Sequence, residues 1–187
     1  KSTYDLQPNI RDVNFGSIER TIEFIAQHNT GKSDLVNNII CEMNANSVYL
    51  HHSDAKWLSN FFPQIDQAIL FDCSLNRRIA LPNHWVIEVK LSPTIQPETI
   101  TQLGEWFAVV DAVFFSEKII KLRKSEVGER FTPFGMSGSI KINDFFTNQK
   151  LLNSAKRKWP ILSNLSGEII WIPGYRIADR FRVTKST

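Results

Sequence analysis

The sequence predicts an α+β protein of two small domains, each a mostly antiparallel sheet with one or two packed helices. A chain of 187 residues suits one large domain or two small ones. An amphipathic segment near the start is followed by short β-rich segments between turn signals, which is an α+β pattern. Residues 1–117 hold 8 Lys or Arg and 14 Asp or Glu, whereas residues 118–187 hold 14 and 5. This change of charge predicts a boundary between residues 1–115 and a basic domain over 116–187.

The first predicted domain begins with a helix. Ile18, Ile22 and Ile25 recur at helical spacing, which predicts a helix over residues 17–28 that ends at Asn29-Thr30-Gly31. In residues 85–91, apolar and polar side chains alternate as in a half-buried strand. The strands predicted for this domain are residues 35–43, 47–52, 68–71, 77–81 and 85–91.

The basic part is predicted to mix strands, a loop and a helix. Ile142, Phe145 and Phe146 share one helical face, which predicts a helix over residues 141–148. Three glycines and a proline predict an ordered loop over residues 125–138. The strands predicted here are residues 108–115, 119–123, a hairpin of 160–163 with 168–172, and 175–184.

Composition excludes several classes of protein. Two cysteines cannot staple a secreted disulfide scaffold, and no apolar run reaches the roughly 18–20 residues that span a bilayer. The first residues have no signal-peptide core. We therefore expect a cytoplasmic protein without a membrane partner.

Three familiar chemistries find little support in the residues. Gly31-Lys32-Ser33 has the end of a phosphate-binding loop, but Ala26 stands where that motif needs glycine, so a helix end is the simpler interpretation. The four histidines and two cysteines lack metal-ligand spacing, and neither thiol has an activating context. We predict no catalytic residue, bound cofactor or metal in this chain.

The basic end has a pattern of its own. If residues 176–183 are extended, Arg176, Arg180 and Arg182 share one face. Lys156-Arg157-Lys158 forms a second cluster, and Trp159 beside it could stack or pack. Such a surface fits the phosphate backbone of RNA, although charge alone fits an ordinary solvated face equally well.

An ordered series of motifs in this end resembles a known family. The series is similar to the C-terminal domain of bacterial tRNA(Ile)-lysidine synthetase over about residues 108–187, departing at Glu129, where that family usually has Asp. Residues 13–107 resemble the family's preceding substrate-recognition domain more loosely. The motifs are Leu122-Arg123, residues 128–136, Asp144-Phe145-Phe146, Pro160-Ile161-Leu162 and residues 168–181.

The resemblance implies a function in tRNA modification. The family's enzyme is a ligase that uses ATP to attach lysine to the wobble cytidine of a minor tRNA(Ile), and its ATP site is a Ser-Gly-Gly-x-Asp-Ser loop in an N-terminal domain. This sequence contains no such loop. We therefore expect a portion that grips tRNA(Ile) on its acceptor-stem side and is inactive alone, with ATP and Mg²⁺ bound by the catalytic N-terminal domain of the same parent protein. A homodimer is a further possible partner arrangement.

Eight basic residues are predicted to contact tRNA. Arginines form bidentate contacts with phosphate, and lysines neutralise it as point charges. The alternatives are a protein-interaction module whose basic face meets an acidic partner, a general RNA-binding module, and an enzyme with an unrecognised site. The predicted contacts are Arg130, Lys141, Lys156, Arg157, Lys158, Arg176, Arg180 and Arg182.

Overall fold

A computed structural model describes residues 14–36, 38–45, 47–53, 58–92, 100, 104–114 and 118–184 of the chain. The helices are α1 (Phe15–Gln27), α2 (Leu58–Phe61), α3 (Ile142–Asn148) and α4 (Asn153–Lys156), with 3₁₀ turns at Ala112–Phe114 and Asp179–Phe181. The strands are β1 (Gly31–Val36), β2 (Ile39–Asn44), β3 (Ser47–His52), β4 (Ile69–Asp72), β5 (Arg77–Ala80), β6 (Val86–Val89), β7 (Ile119–Arg123), β8 (Arg130–Phe131), β9 (Ile140–Lys141), β10 (Ile161–Ser163) and β11 (Ile169–Trp171).

The first sheet is an antiparallel meander, β1-β2-β3, with α1 beside it. Helix α1 begins at the N-cap Asn14, whose Oδ1 accepts a hydrogen bond from the Ser17 N–H at 2.8 Å. It ends at the C-cap His28, so Gly31 opens β1 instead of closing the helix. The strand predicted over residues 35–43 is wrong: Asn38, with φ of 65°, lies in a turn between β1 and β2.

The predicted helix is confirmed, but its isoleucines do not form its buried side. Ser17 and Thr21 are the buried residues of α1, and the Thr21 hydroxyl donates to the Ser17 carbonyl at 2.9 Å. Ile18 and Ile22 remain 42% and 59% exposed. The buried residues of this helix are thus small and polar, which a hydrophobic pattern does not reveal.

The second sheet has the order β11-β10-β7-β4, with every neighbouring pair antiparallel. Its central strands are the most buried, with Leu122 and Ile161 at 0% exposure. Helix α3 packs Phe145 and Phe146 into the same core, as predicted from their spacing. Two-stranded pairs β5-β6 and β8-β9 complete the architecture, and the predicted α+β class is confirmed.

Strand β4 precedes the predicted boundary at residue 115 and pairs with β7, which follows it. The buried core likewise includes Phe71 and Ile79 from one side and Ile120 from the other. The division into residues 1–115 and 116–187 stays a prediction, and it would have to cut a hydrogen-bonded sheet.

Two further predicted strands are 3₁₀ turns with irregular flanks. Residue 115 of the strand predicted over 108–115 lies outside the described residues. In residues 108–114, the Asp111 carboxylate accepts from the Val113 N–H at 2.9 Å, a local bond that competes with a sheet ladder. In residues 175–184, the Ala178 N–H donates to the Ile170 carbonyl and the Asp179 N–H to Thr132. Consecutive amides thus bind different segments, which turns the chain and places Phe181 in the core.

Among the described residues, no helix has the length and apolar character needed to cross a bilayer.

Candidate nucleic-acid interface

Three of the eight predicted contacts line one cleft of about 800 Å³. Lys141 ends β9 and serves as the N-cap of α3, and Lys156 and Arg157 form the end of α4. Residues 125–129 also line this cleft. Because α4 follows α3 closely and packs against it, residues about 15 positions apart in sequence meet at one surface.

Arg130 lies beside this cleft on β8, directly opposite Lys141 on β9. Its guanidinium donates to the Ser139 side chain at 3.0 Å and to the Ser139 carbonyl at 2.7 Å, which fixes its direction. Like charges on directly opposed strand positions repel each other. A bound phosphate would relieve that repulsion, so this pair favours an anionic ligand.

Lys156 is the least exposed cation of the cleft. Its ammonium donates to the Thr147 hydroxyl at 2.9 Å and to the Asn153 side-chain oxygen at 2.8 Å. Burial lowers the pKa of Lys156 below its ordinary value, and the negative charge of Glu42 opposes that shift. The side chain is therefore held in place before any ligand arrives.

The cleft also carries carboxylates, and the innermost is neutralised within the fold. Glu129 accepts two hydrogen bonds from Arg123, at 3.0 and 2.5 Å, and the two side chains are only 13% and 6% exposed. Glu126 and Asp144 line the same cleft near solvent. Arg123 is thus the partner of Glu129, and Arg130 is directed at Ser139.

Arg180 and Arg182 line a second cleft, of about 610 Å³. Arg180 pairs with Glu168 and lies over the Phe114 ring at 5.9 Å from its centroid, and Arg182 pairs with Asp179. Both arginines are exposed, as predicted, but each has an acidic partner that a phosphate would have to replace.

The remaining predicted contacts are dispersed. Arg176 is exposed on the turn after β11, and Lys158 forms an ion pair with Asp66 at 2.5 Å. Trp159 is 2% exposed, and its indole N–H donates to the Pro173 carbonyl at 3.0 Å. It therefore packs in the core and is not placed to stack on a base.

The structure also shows the surroundings of the residues considered for phosphate binding, thiol chemistry and metal binding. Gly31-Lys32-Ser33 lies in β1, with Lys32 opposite Glu42 on β2. Burial raises the pKa of both the Cys41 and the Cys73 thiol, which disfavours the nucleophilic thiolate. The described part of the chain contains no group of three or more His, Cys, Asp or Glu side chains that could hold a metal ion.

One contact at the cleft has no signal in the sequence. Ser154, on α4, donates to the carboxylate of Glu42 on β2, a residue 112 positions earlier. Neither residue belongs to a recognisable motif, and only the folded chain brings them together.

Residues 120–187 match the family model of the TilS substrate C-terminal domain. This part of the chain is similar to the TilS substrate C-terminal domain. The predicted resemblance to the C-terminal region of tRNA(Ile)-lysidine synthetase is confirmed. The basic cleft lies within the residues that match this family model, because all of its lining residues fall between 125 and 157.

Relatives of known name extend the match. The chain is 42% identical over 71 residues to the tRNA(Ile)-lysidine synthase of Bacillus subtilis, covering 35% of this chain and 15% of that protein. For the same enzyme of Clostridium acetobutylicum the identity is 37% over 70 residues, covering 37% and 15%. The bifunctional protein TilS/HprT of Listeria monocytogenes is 27% identical over 161 residues, covering 85% and 23%. The matched part thus spans less than a quarter of each relative.

A solved structure shares the fold. The crystal structure of a TilS C-terminal domain superposes with a TM-score of 0.54 at 22% identity, covering 65% of this chain and 90% of that one. The shared fold extends beyond the 68 residues that match the family model.

Proposed function

We propose that this chain is the tRNA-gripping portion of a tRNA(Ile)-lysidine synthetase, the ligase that attaches lysine to the wobble cytidine of a minor tRNA(Ile) in the cytoplasm. The observation that carries the proposal is the placement of a basic cleft on the matched TilS C-terminal domain. In this proposal ATP and Mg²⁺ bind a catalytic domain elsewhere in the parent protein, and this chain alone has no ligase activity.

The cleft suits the stem of a tRNA better than a sequence-specific site. A-form stems are recognised mainly through phosphate and 2′-hydroxyl contacts, which cationic side chains supply. Lys141, Lys156 and Arg157 provide three such charges around one opening, and Arg130 adds a fourth at its edge. We assign this surface to the acceptor-stem side, because a second grip far from the anticodon would add affinity by linkage.

The test is the binding of a labelled tRNA(Ile) transcript to the 187-residue chain over a series of salt concentrations. The double variant Lys141→Gln/Arg157→Gln removes two charges of the cleft. We expect at least about ten-fold weaker binding, and a salt slope smaller by roughly 0.9 for each lost phosphate contact.

The matched control is Arg20→Gln/Lys90→Gln, which removes the same two kinds of charge from exposed positions of the first part. It should leave both the dissociation constant and the slope near wild type. Equal losses of affinity in the two double variants would mean that tRNA binding depends only on the net charge of the chain, and not on this cleft. Equal affinity for heparin and tRNA would instead favour a general polyanion or acidic-protein partner, and binding that does not depend on salt would refute the proposal.

A further inference from the structure

Glu42 is a fully buried carboxylate that joins the first sheet to the basic cleft. It is 1% exposed on the central strand β2. One oxygen accepts from the Ser154 N–H at 3.0 Å, and the other accepts from the Ser154 hydroxyl at 2.6 Å.

Such burial requires compensation. An isolated carboxylate in a protein interior is strongly unfavourable, and hydrogen bonds to the charged form offset the loss of hydration. Ser154 supplies two of these bonds, and the His51 Nε2 lies 3.7 Å from the same carboxylate. These three side chains do not form a Ser-His-Asp type catalytic triad, in which the histidine lies between the serine and the carboxylate. Here the carboxylate lies between the serine and the histidine, so the imidazole is not placed to take the serine proton.

The contact bears directly on the cleft because of where Ser154 lies. Helix α4 has only four residues, and helices of that length depend on tertiary contacts for their position. Lys156 and Arg157 follow Ser154 by two and three residues and form part of the cleft wall. A carboxylate of the first sheet therefore contributes to holding the segment that carries two phosphate-binding candidates, together with the Gln64 bond to the Ala155 carbonyl.

We propose that Glu42 is a positioning residue for tRNA binding, which holds α4 through Ser154 so that Lys156 and Arg157 face the phosphate backbone. This inference rests on the proposed function. It gives the acidic first part of the chain a role in RNA recognition that requires no phosphate contact of its own. The negative charge of Glu42 also favours the charged form of Lys156, against the effect of burial.

The first measurement is made without RNA. Hydrogen exchange of the backbone amides of α4 is compared between the wild-type chain and Glu42→Gln, in which one acceptor oxygen becomes a donor. We expect loss of protection at Ser154 and in the turn after it, with β10 unchanged. Ser154→Ala removes only the hydroxyl bond and is the milder variant, available if Glu42→Gln does not fold; Ser154→Thr keeps a hydroxyl and should restore protection.

The second measurement is tRNA(Ile) binding by the same variants. We expect Glu42→Gln to weaken binding by about five-fold and to lower the salt slope by about one unit, since displaced cations release fewer counterions. Met43→Ala is the matched control. Met43 is the next residue of β2, is 7% exposed and points to the opposite face of the sheet. It should lower the unfolding temperature and leave the slope unchanged.

The outcomes separate the two proposals. If the wild type shows salt-dependent binding and Glu42→Gln retains both affinity and slope, the positioning role is overturned. An equal change of slope in Met43→Ala would also overturn it, because any loss of stability would then suffice. If the wild type does not bind tRNA, the proposed function fails. If hydrogen exchange in α4 is unchanged in Glu42→Gln, the Glu42–Ser154 contact does not hold α4, and the positioning role is overturned.

Discussion

At the scale of single residues, the basic part of the chain divides its charges between structure and surface. Arg123 and Glu129 form a bidentate pair inside the fold, and Arg123 also donates to Ser163 at 3.0 Å and to the Gly167 carbonyl at 2.8 Å. One guanidinium thus ties the loop before β8 to the β10-β11 hairpin. Arg130, on the next strand β8, keeps its guanidinium at the surface.

This buried pair supports a prediction about stability. Glu129→Ala leaves the Arg123 charge buried without its carboxylate, and we expect a loss of about 3 kcal/mol in the free energy of unfolding. Urea denaturation at neutral pH measures it. Glu126→Ala, three residues earlier on the exposed side of the same loop, should change the value by less than about 0.5 kcal/mol. A small effect of both substitutions would contradict the structural role of the pair.

The identity of ion partners marks the limit of prediction at this scale. Glu129 and Asp179 both have ion partners in the fold. These carboxylates pair with Arg123 and Arg182, and not with the adjacent Arg130 and Arg180. Each carboxylate therefore pairs with a guanidinium three or six residues away, and adjacency along the chain does not reveal that choice.

At the scale of elements, hydrophobic periodicity predicted correctly those helices and strands that bury an apolar side in the core. The α3 helix and the β10-β11 hairpin follow their patterns, because each buries its apolar side in one core. Residues 108–114 and 175–184 belong to segments predicted as strands, and each contains a 3₁₀ turn instead. In the first segment the Val113 amide donates to the nearby Asp111 side chain, which competes with a sheet ladder. In the second, consecutive amides donate to carbonyls of distant segments, and these long-range bonds leave no trace in a local pattern.

The turn after β11 depends on a glycine for two reasons. Gly174 has φ of 78°, and a Cβ built there would lie 2.9 Å from the Trp106 ring. We expect Gly174→Ala to lower the free energy of unfolding by about 2–4 kcal/mol, from backbone strain and displacement of the ring. The measurement is denaturant unfolding followed by tryptophan fluorescence.

A control glycine separates the two causes. Gly128 has nearly the same φ, 77°, and open space where a Cβ would stand. Gly128→Ala should lose only the backbone part, about 1 kcal/mol. Equal losses at the two positions would show that the Trp106 contact contributes nothing.

At the scale of the whole molecule, one core extends across the change of charge. Trp159 packs against Phe62 from the first part and Tyr175 from the last, at centroid distances of 6.1 and 5.3 Å. The Ile65 N–H donates to the Lys158 carbonyl at 2.8 Å. Charge composition marked a difference in surface, and a surface can change sign without any break in the core beneath it.

This continuity predicts cooperative unfolding. We expect the 187-residue chain to unfold in a single transition that fluorescence and circular dichroism report together. The segment of residues 116–187 alone would lack β4, which covers the edge of β7 at Ile120 and Leu122. An uncovered edge strand with an open apolar face favours association over folding, so we expect this segment to aggregate or to bind hydrophobic dyes.

The comparison that tests this expectation is a longer segment, residues 58–187, which restores β4, Phe62 and the β5-β6 pair but omits the first sheet. It should unfold cooperatively, with the α4 region less protected because Glu42 is missing. Two separate transitions in the full chain, or a cooperatively folded segment 116–187, would establish the boundary that the charge pattern predicts. A single transition in both the full chain and residues 58–187 would show that the folding unit includes both β4 and β7. The first sheet would then be an addition to this unit that supports the basic cleft.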